Sequence, residues 1–389
     1  MEWKEVDICQ LCDSVSETYK GNASEVVLIN TSDVLDGKCL NHEYVPNKKL
    51  KGQFKKTFRK GDILYSEIRP ANKRFCFVDF EPKDYIASTK LMVLRAHEDI
   101  DPQYLYQILR SNDTLTQLQM LAESRSGTFP QITYSELSNI MVSLPSQKAQ
   151  KNIVSILASL DRKIELNNKI NADLEEMAQA IFKNWFVDFE PFKDGKFVDS
   201  ELGMIPEGWK VGRLFDIAEI FDKKRKPLSG NVREKMDKIY PYYGATSCMD
   251  YVDDYIFDGI YTLIGEDGSV VKENGLPYMQ YVWGKMWVNN HAHILQGKNA
   301  YSTEMIHALL SITNIKFLVT GAVQAKLSQG NMQKILVAIP PKNVLDEIRP
   351  VIDNLYSKIR INTDENSRLS LLRDTLLPRL ISGELEVPE

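Results

Sequence analysis

The chain has 389 residues, of which 43% are hydrophobic and 26% charged, and its formal net charge is −5 at neutral pH. This is an ordinary globular composition with enough chain for two or three domains, and the lack of any run of about 18 apolar residues excludes a membrane-spanning helix. The negative charge offers no bulk attraction to nucleic acid, although an average does not exclude a local basic patch.

The N-terminus and the cysteines indicate the compartment. The chain is charged from Glu2 onward, which is not the pattern of a secretory signal peptide. The five cysteines form an odd set without a disulfide pattern, as expected for reduced thiols. We therefore expect a cytoplasmic protein without membrane contact.

The first predicted domain, residues 1–145, combines strands with one helix. Asp101 and Pro102 are an N-cap and a first-turn proline, and they predict a helix that runs to about Met120. Its short β-type runs, separated by turn signals, are 25–30, 62–66, 90–94 and 140–144. The pattern predicts a compact mixed α/β domain.

A long helix is predicted next, over residues 146–186. Its apolar positions recur at alternating steps of four and three, which is the 3.5-residue period of a coiled coil. Neither proline nor glycine interrupts residues 146–185, but two asparagines lie among the apolar positions. These positions are Ile153, Leu157, Leu160, Ile164, Asn167, Asn171, Leu174, Ala178, Ile181 and Trp185. Such a helix needs a partner.

The same pattern returns 195 positions later, both asparagines included. The preceding strand and proline, 140–145, also match 335–340 at this offset. The second set is Ile348, Ile352, Leu355, Ile359, Asn362, Asn366, Leu369, Arg373, Leu376 and Leu380. The chain therefore contains an internal duplication, which is typical of pseudo-symmetric proteins.

The rest of the chain completes the second copy. Residues 187–202 form a connector, 203–340 a second domain with aromatic-rich strands and a helix that opens at Ser302, and 341–389 the second long helix and tail. The two domains share an outline but little sequence. This predicts a pseudo-two-fold scaffold that presents two different surfaces.

The asparagines predict how the helices pair. A buried asparagine fixes register and orientation when its amide is hydrogen-bonded. In an antiparallel pair Asn167 lies near Asn366, and Asn171 near Asn362. The alternative is that the helices splay apart there and leave these amides in water.

Two basic clusters predict phosphate contacts. Residues 48–60 hold seven cations and no acid, with two phenylalanines interleaved, and 223–226 are all basic. Such clusters neutralise phosphates, although each is also compatible with a solvated surface. The candidate residues are Lys48, Lys49, Lys51, Lys55, Lys56, Lys223, Lys224, Arg225 and Lys226.

Polar loops in both domains predict base contacts. Residues 67–74 follow a predicted strand and carry arginine and asparagine, which bind guanine and adenine edges in the major groove. Loops 125–131 and 320–329 occupy equivalent places in the two domains, although each alone is a common kind of turn. With polar residues of 242–247, the candidates are Arg69, Asn72, Lys73, Arg74, Ser126, Thr128, Gln131, Tyr243, Thr246, Ser247, Gln324 and Lys326.

Metal and catalytic signatures are weak or missing. Cys9, Cys12, Cys39 and His42 are ligand types for zinc, but glycine knuckles are lacking and the second domain has no equivalent set. The segment 291–293, His-Ala-His, is predicted to belong to an aromatic-rich strand face. The sequence has no P-loop, dinucleotide-binding or nucleophile-elbow motif. We predict neither a metal site nor catalytic residues.

Several segments, in order, resemble one family across nearly the whole chain. They are KGDILYSEIRP (60–70), DRKIELN (161–167), WFVDFEP (185–191), IPEGWK (205–210), YYGAT (242–246) and LLPRLISGEL (376–385). The chain resembles the specificity subunits of type I restriction–modification systems. The resemblance implies two α/β (mixed α+β) target-recognition domains joined by two long antiparallel coiled-coil helices.

The resemblance also implies a function. Each domain would recognise one half of a bipartite double-stranded DNA target, and the helix pair would set the spacer. Two methyltransferase subunits would dock on the helices and methylate adenine at N6 with S-adenosylmethionine, which this chain itself does not bind. Motor–endonuclease subunits would join the complex.

The geometry of DNA agrees with this expectation, since two domains on a rigid helix pair can meet major grooves about 34–36 Å apart. Two other functions stay open at this point. One is a nuclease with an undetected carboxylate site, and the other is a coiled-coil adaptor without a DNA role.

Overall fold

The computed structural model describes residues 3–48, 52–124, 130–321 and 324–387. The chain divides into two compact units, and each of the long helices contributes a segment to both. Unit 1 comprises Met1–Glu165 and Glu365–Glu389, and unit 2 comprises Leu166–Asp364.

Unit 1 is built on two four-stranded sheets, in the orders β6-β3-β10-β7 and β2-β11-β8-β9. Its strands are β1 (Lys4–Asp7), β2 (Cys12–Val15), β3 (Glu25–Ile29), β4 (Val34–Leu35), β5 (Lys38–Cys39), β6 (Val45–Pro46), β7 (Phe54–Lys56), β8 (Ile63–Ser66), β9 (Phe75–Phe77), β10 (Tyr85–Ser88), β11 (Leu91–Ala96) and β12 (Met141–Leu144). Its short helices are α1 (Pro102–Arg110), α2 (Asn112–Glu123) and α3 (Tyr134–Ser138).

The predicted helix from Asp101 to Met120 is in fact two helices. Asp101 caps α1 as expected, but Ser111 adopts an extended conformation with ψ of 145° and ends it. The Ser111 hydroxyl then accepts from the Thr114 N–H at 3.3 Å and caps α2. The prediction of one helix was wrong because the Ser-Asn-Asp sequence at 111–113 is a new N-terminal capping signal.

Strand β11 separates two apolar cores in unit 1. Alternate side chains of a strand point to opposite faces, so Met92 and Leu94 face the core that contains α1, while Leu91 and Val93 face the second sheet. All four are buried. The sheet with β11 is therefore covered on both sides.

Unit 2 is built on one six-stranded sheet in the order β16-β21-β19-β20-β17-β18. Following the first long helix, α4 (Gln147–Phe186), its strands are β13 (Phe197–Val198), β14 (Ile205–Pro206), β15 (Lys210–Arg213), β16 (Ala218–Ile220), β17 (Tyr240–Tyr243), β18 (Cys248–Val252), β19 (Phe257–Gly265), β20 (Met279–Val288), β21 (Ala292–Gly297) and β22 (Leu336–Ile339). Its short helices are α5 (Leu214–Ile217), α6 (Gly230–Arg233), α7 (Thr303–Ile312) and α8 (Gln329–Met332). The second long helix is α9 (Lys342–Ile381).

The internal repeat is visible in the strands beside the long helices. In unit 1, β1 pairs antiparallel with β12, and Lys4 lies opposite Leu144. In unit 2, β15 pairs antiparallel with β22, and Lys210 lies opposite Ile339. Leu144 and Ile339 are 195 positions apart, so the two pairs have the same register relative to the duplicated segment.

The long helices pair antiparallel. In unit 1, Ile153 and Leu157 near the start of α4 share a core with Leu380 near the end of α9. In unit 2, Phe182 near the end of α4 shares a core with Ile348 near the start of α9. The fold class predicted from the sequence, mixed α/β with a repeat and two long helices, is confirmed.

Asn171 and Asn362 meet in unit 2, as the antiparallel pairing predicts. The Asn362 amide donates to Asn171 Oδ1 at 2.8 Å, and the Asn171 amide donates to Thr363 Oγ1 at 3.1 Å. Asn167 is also buried, and its pairing with Asn366 stays a prediction. None of the helices in the described part of the chain combines the length and apolarity needed to cross a membrane.

Candidate nucleic-acid interface

The loop after β8 presents three polar side chains to solvent. Arg69 and Lys73 have left-handed backbones, with φ of 47° and 52°, on either side of the turn Pro70–Asn72. A left-handed backbone is unfavourable away from glycine and is kept only where its surroundings hold it. Gln119 on α2 does so, because its Oε1 accepts from the Ala71 N–H at 3.1 Å. Arg69, Asn72 and Lys73 are all exposed.

A second predicted segment lies beside this loop. The Arg69 N–H donates to the Pro130 carbonyl at 3.1 Å, and the Ile132 N–H donates to the Glu67 carbonyl at 2.8 Å. Between them, Gln131 accepts from Lys90 Nζ at 3.2 Å. The fold therefore brings two segments about 60 residues apart into one surface. Ser126 and Thr128 lie outside the described residues.

Arg74, which follows this loop, bonds backbone carbonyls of unit 1. Its guanidinium is half-buried and donates to the carbonyl oxygens of Ser32 at 3.0 Å and Val34 at 3.4 Å. Both bonds use Nη1, one of the three nitrogens of a guanidinium that carries five N–H donors. Arg74 as a base contact therefore stays a prediction.

The basic cluster of unit 1 is partly exposed. Lys48 and Lys55 are exposed, but Lys56 Nζ donates to the carbonyl oxygens of Thr89 at 3.2 Å and Leu91 at 2.8 Å. Burial lowers the pKa of Lys56. Lys56 is therefore committed to the sheet and is removed from the phosphate candidates. Lys49 and Lys51 lie outside the described residues.

In unit 2, the turn between β17 and β18 presents the next candidates. The Gly244 N–H donates to the Ser247 carbonyl at 2.9 Å and closes the turn, which leaves Thr246 and Ser247 exposed. Tyr243 is half-buried, and burial raises the pKa of its phenol to about 12. The phenol is therefore a neutral hydrogen-bond donor at physiological pH.

The loop 320–326 is closed by its own backbone. Thr320 and Lys326 exchange two backbone hydrogen bonds, of 2.9 Å and 2.7 Å. Gln324 and Lys326 are exposed. Lys326 Nζ lies 3.6 Å from a carboxylate oxygen of Glu266. Both candidates thus lie beside this pair of backbone hydrogen bonds, and residues 322–323 lie outside the described residues.

The basic run 223–226 is divided between surface and interior. Lys223, Lys224 and Lys226 are exposed, and Lys224 Nζ lies 5.0 Å above the ring of Phe221. Arg225 points inward and donates to Glu266 and to the Ala292 carbonyl, each at 2.7 Å. The prediction of Arg225 as a phosphate contact was therefore wrong.

Asp222 and His293 form a buried polar network that the sequence did not predict. Asp222 Oδ2 faces His293 Nδ1 at 2.5 Å and accepts from Gln329 Nε2 at 2.6 Å. Its Oδ1 accepts from the Ile294 N–H at 3.0 Å. His293 Nε2 faces the Leu327 carbonyl at 2.6 Å. These contacts join residues that lie far apart along the chain.

The network lowers the pKa of Asp222. A carbonyl only accepts, so His293 Nε2 donates to the Leu327 carbonyl. Burial alone would raise the pKa of Asp222, but the hydrogen bond from His293, the Ile294 N–H and the charge of Arg225 together lower it. The carboxylate of Asp222 is therefore ionised.

Asp222, Glu266 and His293 are also the group in the described chain whose ligand atoms lie close enough to hold a metal ion. The arrangement does not fit one. Arg225 already bonds Glu266, and the two ring nitrogens of His293 already face Asp222 and the Leu327 carbonyl. The predicted aromatic setting of His293 was wrong, because its neighbours are charged.

The cysteines and the histidine considered as zinc ligands make separate contacts. Cys12 is buried, and burial raises the pKa of its thiol to about 12, which opposes the thiolate needed for zinc. Cys39 donates to the Asn41 carbonyl at 3.6 Å, and His42 Nδ1 lies 2.9 Å from the Tyr85 hydroxyl.

Comparison with known proteins decides the family. The family described as "Type I restriction modification DNA specificity domain" matches residues 2–176 and 206–371. The chain belongs to this family. The two matches each cover one copy of the internal repeat, with its domain and long-helix segment.

Individual relatives agree along the full length. The type I restriction enzyme HindI specificity subunit of Haemophilus influenzae is 31% identical, over 99% of this chain and 100% of that protein. The MjaIX specificity subunit of Methanocaldococcus jannaschii is 27% identical, over 90% of this chain and 85% of that protein. The crystal structure of a type I S subunit from M. genitalium has the same fold, with a TM-score of 0.55 at 16% identity, over 100% of this chain and 97% of that one.

The protein is therefore a specificity subunit of a type I restriction–modification system, and it is not itself an enzyme. Its partners are DNA and other subunits of such a system. Neither the nuclease nor the DNA-free adaptor is supported.

Proposed function

We propose that the two globular domains recognise the two halves of a split double-stranded DNA target. The long helices set the spacer between the halves and dock two methyltransferase subunits, which bind S-adenosylmethionine and methylate adenine. Motor–endonuclease subunits complete the assembly. The chain supplies selectivity and its partners supply catalysis.

The observation that carries this proposal is a duplication that repeats the long helices but not the sheets. The apolar positions of the long helices and the paired strands beside them repeat at one offset of 195 residues. The sheets differ, with two four-stranded sheets in unit 1 and one six-stranded sheet in unit 2. A repeated scaffold with two different domains suits a target with two different halves.

In each unit the exposed candidates combine cations with hydrogen-bonding side chains. In unit 1, Arg69 and Asn72 suit guanine and adenine edges, while Lys55 suits phosphate. In unit 2, Gln324 suits adenine and Lys224 suits phosphate. Phosphate contacts position a protein on DNA and base contacts give selectivity, and each unit offers both kinds.

Exposed apolar side chains on the long helices support the docking of two like partners. Three on α4 and their counterparts on α9 are between 37% and 53% exposed. Each pair is 195 positions apart, and the pairs are Ile156 with Val351, Leu166 with Ile361, and Met177 with Leu372. Exposed apolar surface marks interaction sites, and a surface present twice takes one partner twice.

The main test is the methylation motif of cells that carry this subunit with its methyltransferase partner. We expect methylated adenines in a motif with two specified halves and an unspecified spacer. An unsplit motif, or none, would contradict the proposal.

Shortening the helix pair tests the spacer. Residues 163–169 and 364–370 are removed together, two turns from each helix, which keeps the apolar stripes in phase. The loss of about 10 Å of helix corresponds to a spacer shorter by about three base pairs, between unchanged halves. The spacer is read from the duplexes that the purified subunit selects by binding, because the removed segment contains the docking residue Leu166. A control keeps the length but replaces the exposed residues of both segments. An unchanged spacer in the shortened protein refutes this role of the helices.

Single charges test the two docking surfaces. Leu166→Asp and Ile361→Asp each remove one of two equivalent apolar contacts. We expect the purified complex to fall from two methyltransferase subunits to one in either variant. Leu371→Asp is the matched control, because Leu371 is 70% exposed but its repeat counterpart is Glu176. Two retained subunits in both test variants would count against this surface.

A further inference from the structure

Two cysteines of unit 1 lie close to the exposed loop after β8. Cys76 on β9 is fully buried, and Cys39 on β5 is partly exposed. Cys39 packs against the apolar core that contains Cys76, and the two thiols form a hydrogen bond with each other. The fold therefore brings two thiols from different strands into direct contact, and the function proposed above uses neither of them.

The backbone fixes the strand of one cysteine against the strand of the other. β4 and β5 form a hairpin in which Val34 lies opposite Cys39. At the turn of this hairpin the Gly37 N–H donates to the Phe75 carbonyl at 3.0 Å, and Gly37 forms a parallel bridge with Cys76. Because Gly37 lies only two residues before Cys39, the end of the hairpin that carries Cys39 is held on β9.

The two thiols differ in reactivity. The hydrogen bond from Cys76 lowers the pKa of Cys39, although partial burial opposes this change. The same hydrogen bond, together with burial, raises the pKa of Cys76 well above its ordinary value. The thiolate is the nucleophilic form of cysteine, so Cys39 is the more reactive of the two and also the more accessible. Cys76 is a protonated thiol beside it.

We propose that Cys39 and Cys76 are a site of oxidative modification, at which hydrogen peroxide forms a disulfide between them. The Cys39 thiolate attacks a peroxide oxygen and becomes a sulfenic acid, while hydroxide leaves and takes up the proton that the thiol had released. The Cys76 sulfur then attacks the Cys39 sulfur, and the Cys76 proton leaves with the sulfenic hydroxyl as a second water. The two thiols lose two electrons and the peroxide gains them.

The disulfide acts on the loop after β8, because the same hairpin supports that loop. The Asp36 N–H donates to the Lys73 carbonyl at 2.8 Å, and the Arg74 side chain donates to the Val34 carbonyl at 3.4 Å. An S–S bond of about 2.05 Å is shorter than the contact between two hydrogen-bonded sulfurs, so oxidation draws the hairpin and β9 together. This displaces the backbone that carries Arg69 and Lys73. The consequence for DNA rests on the proposed function.

The first experiment tests the modification itself, on the full chain with Cys9→Ser and Cys248→Ser. These two exposed thiols are removed so that molecules do not cross-link. The folded protein is treated with hydrogen peroxide, its remaining thiols are alkylated, and its peptides are analysed by mass spectrometry. We expect one disulfide, between Cys39 and Cys76, that dithiothreitol reduces. With Cys76→Ala added, we expect a Cys39 sulfenic acid that dimedone traps.

The second experiment tests the effect on recognition. The oxidised chain is freed of peroxide and assembled with untreated methyltransferase subunits, and double-stranded DNA with each target position randomised in turn is methylated. The measured quantity is base discrimination at each half-site, the ratio of methylation for right and wrong bases. We expect oxidation to lower discrimination at one half-site by about fivefold, the loss of one weak base contact. The other half-site stays constant, and dithiothreitol restores the first.

Cys39→Ser, in the same background, is the matched control. It keeps a hydrogen-bonding group at this partly exposed position, and we expect its discrimination to be the same with and without peroxide. The modification site is overturned if peroxide forms no disulfide between Cys39 and Cys76 in the folded chain. The role of the loop is overturned if the disulfide changes neither half-site, or both equally. An untreated complex without a split motif overturns the proposed function itself, whereas the disulfide is measured without DNA.

Discussion

The two units attach their domains to the long helices through different polar clusters. In unit 1, Asp161 on α4 accepts from Arg110 of α1 at 3.2 Å and from Arg373 of α9 at 2.8 Å. The acid lies on the helix pair, and one of its two cations comes from the domain.

In unit 2 the acid comes from the domain instead. Glu304 of α7 accepts from Arg360 of α9 at 2.6 Å and from the Tyr281 hydroxyl at 2.8 Å. Neither cluster is repeated at the 195-residue offset, because the counterpart of Arg360 is Glu165 and that of Arg373 is Ala178. The repeat thus keeps the apolar stripes but gives each domain its own polar attachment. One scaffold can carry two different domains for this reason.

The largest expected effect lies in unit 2. Arg360→Met leaves the charge of Glu304, whose side chain is 7% exposed, with the Tyr281 hydroxyl alone. Removing one partner of a buried ion pair costs about 3 kcal/mol of unfolding free energy. Hydrogen exchange reports the loss in unit 2 separately from unit 1.

The double variant Arg360→Met with Glu304→Gln is its control. The glutamine keeps an acceptor for Tyr281 and removes the unpaired charge, so we expect most of the lost stability to return. If the single and double variants are equally destabilised, packing of Arg360 matters and its ion pair does not.

A smaller effect is expected from the cluster of unit 1. Asp161→Ala leaves Arg110 and Arg373 without their shared carboxylate. Because the Asp161 side chain is 33% exposed, water offsets part of the loss, and we expect about 2 kcal/mol in unit 1. Arg373→Met is milder, since Asp161 keeps Arg110. A larger loss of stability for Arg373→Met than for Asp161→Ala would show that the shared carboxylate of Asp161 is not the main contributor to this cluster.

The same contrast shows what sequence reasoning can reach. The two long helices and their antiparallel pairing were predicted because periodic apolar positions and the asparagines at 171 and 362 are local signals repeated along the chain. The break at Ser111 was missed, although a capping signal was present. Local sequence patterns were therefore enough to predict the long helices that both units share.

The sites were predicted less well, for a physical reason. A run of cations shows composition but not direction, so Lys56 and Arg225 were grouped with exposed neighbours although each points inward. The network of Asp222 and His293 joins residues up to 107 positions apart and carries no local motif. Which polar groups meet in a core is decided by tertiary packing, and one sequence does not contain that information in readable form.

The neighbours Lys55 and Lys56 give the smallest and most selective test of the comparison. Lys56→Met leaves the Thr89 and Leu91 carbonyls without a charged donor, and we expect a loss of about 1 kcal/mol in unit 1 with unchanged salt dependence of DNA binding. For Lys55→Met we expect the opposite result. The stability of unit 1 is unchanged, and the slope of log affinity against log salt decreases in magnitude by about 0.9.

In unit 2, we expect Arg225→Met to lower stability and Lys224→Met to lower the salt slope, since the Arg225 side chain is only 11% exposed and Lys224 is exposed. The measurements are hydrogen exchange and DNA binding between low and moderate salt. If Lys56→Met lowers the salt slope, the wild-type Lys56 ammonium leaves the Thr89 and Leu91 carbonyls to contact a phosphate. The two units would then differ in how they use adjacent cations, because the ion pair of Arg225 with Glu266 holds its guanidinium inside the fold.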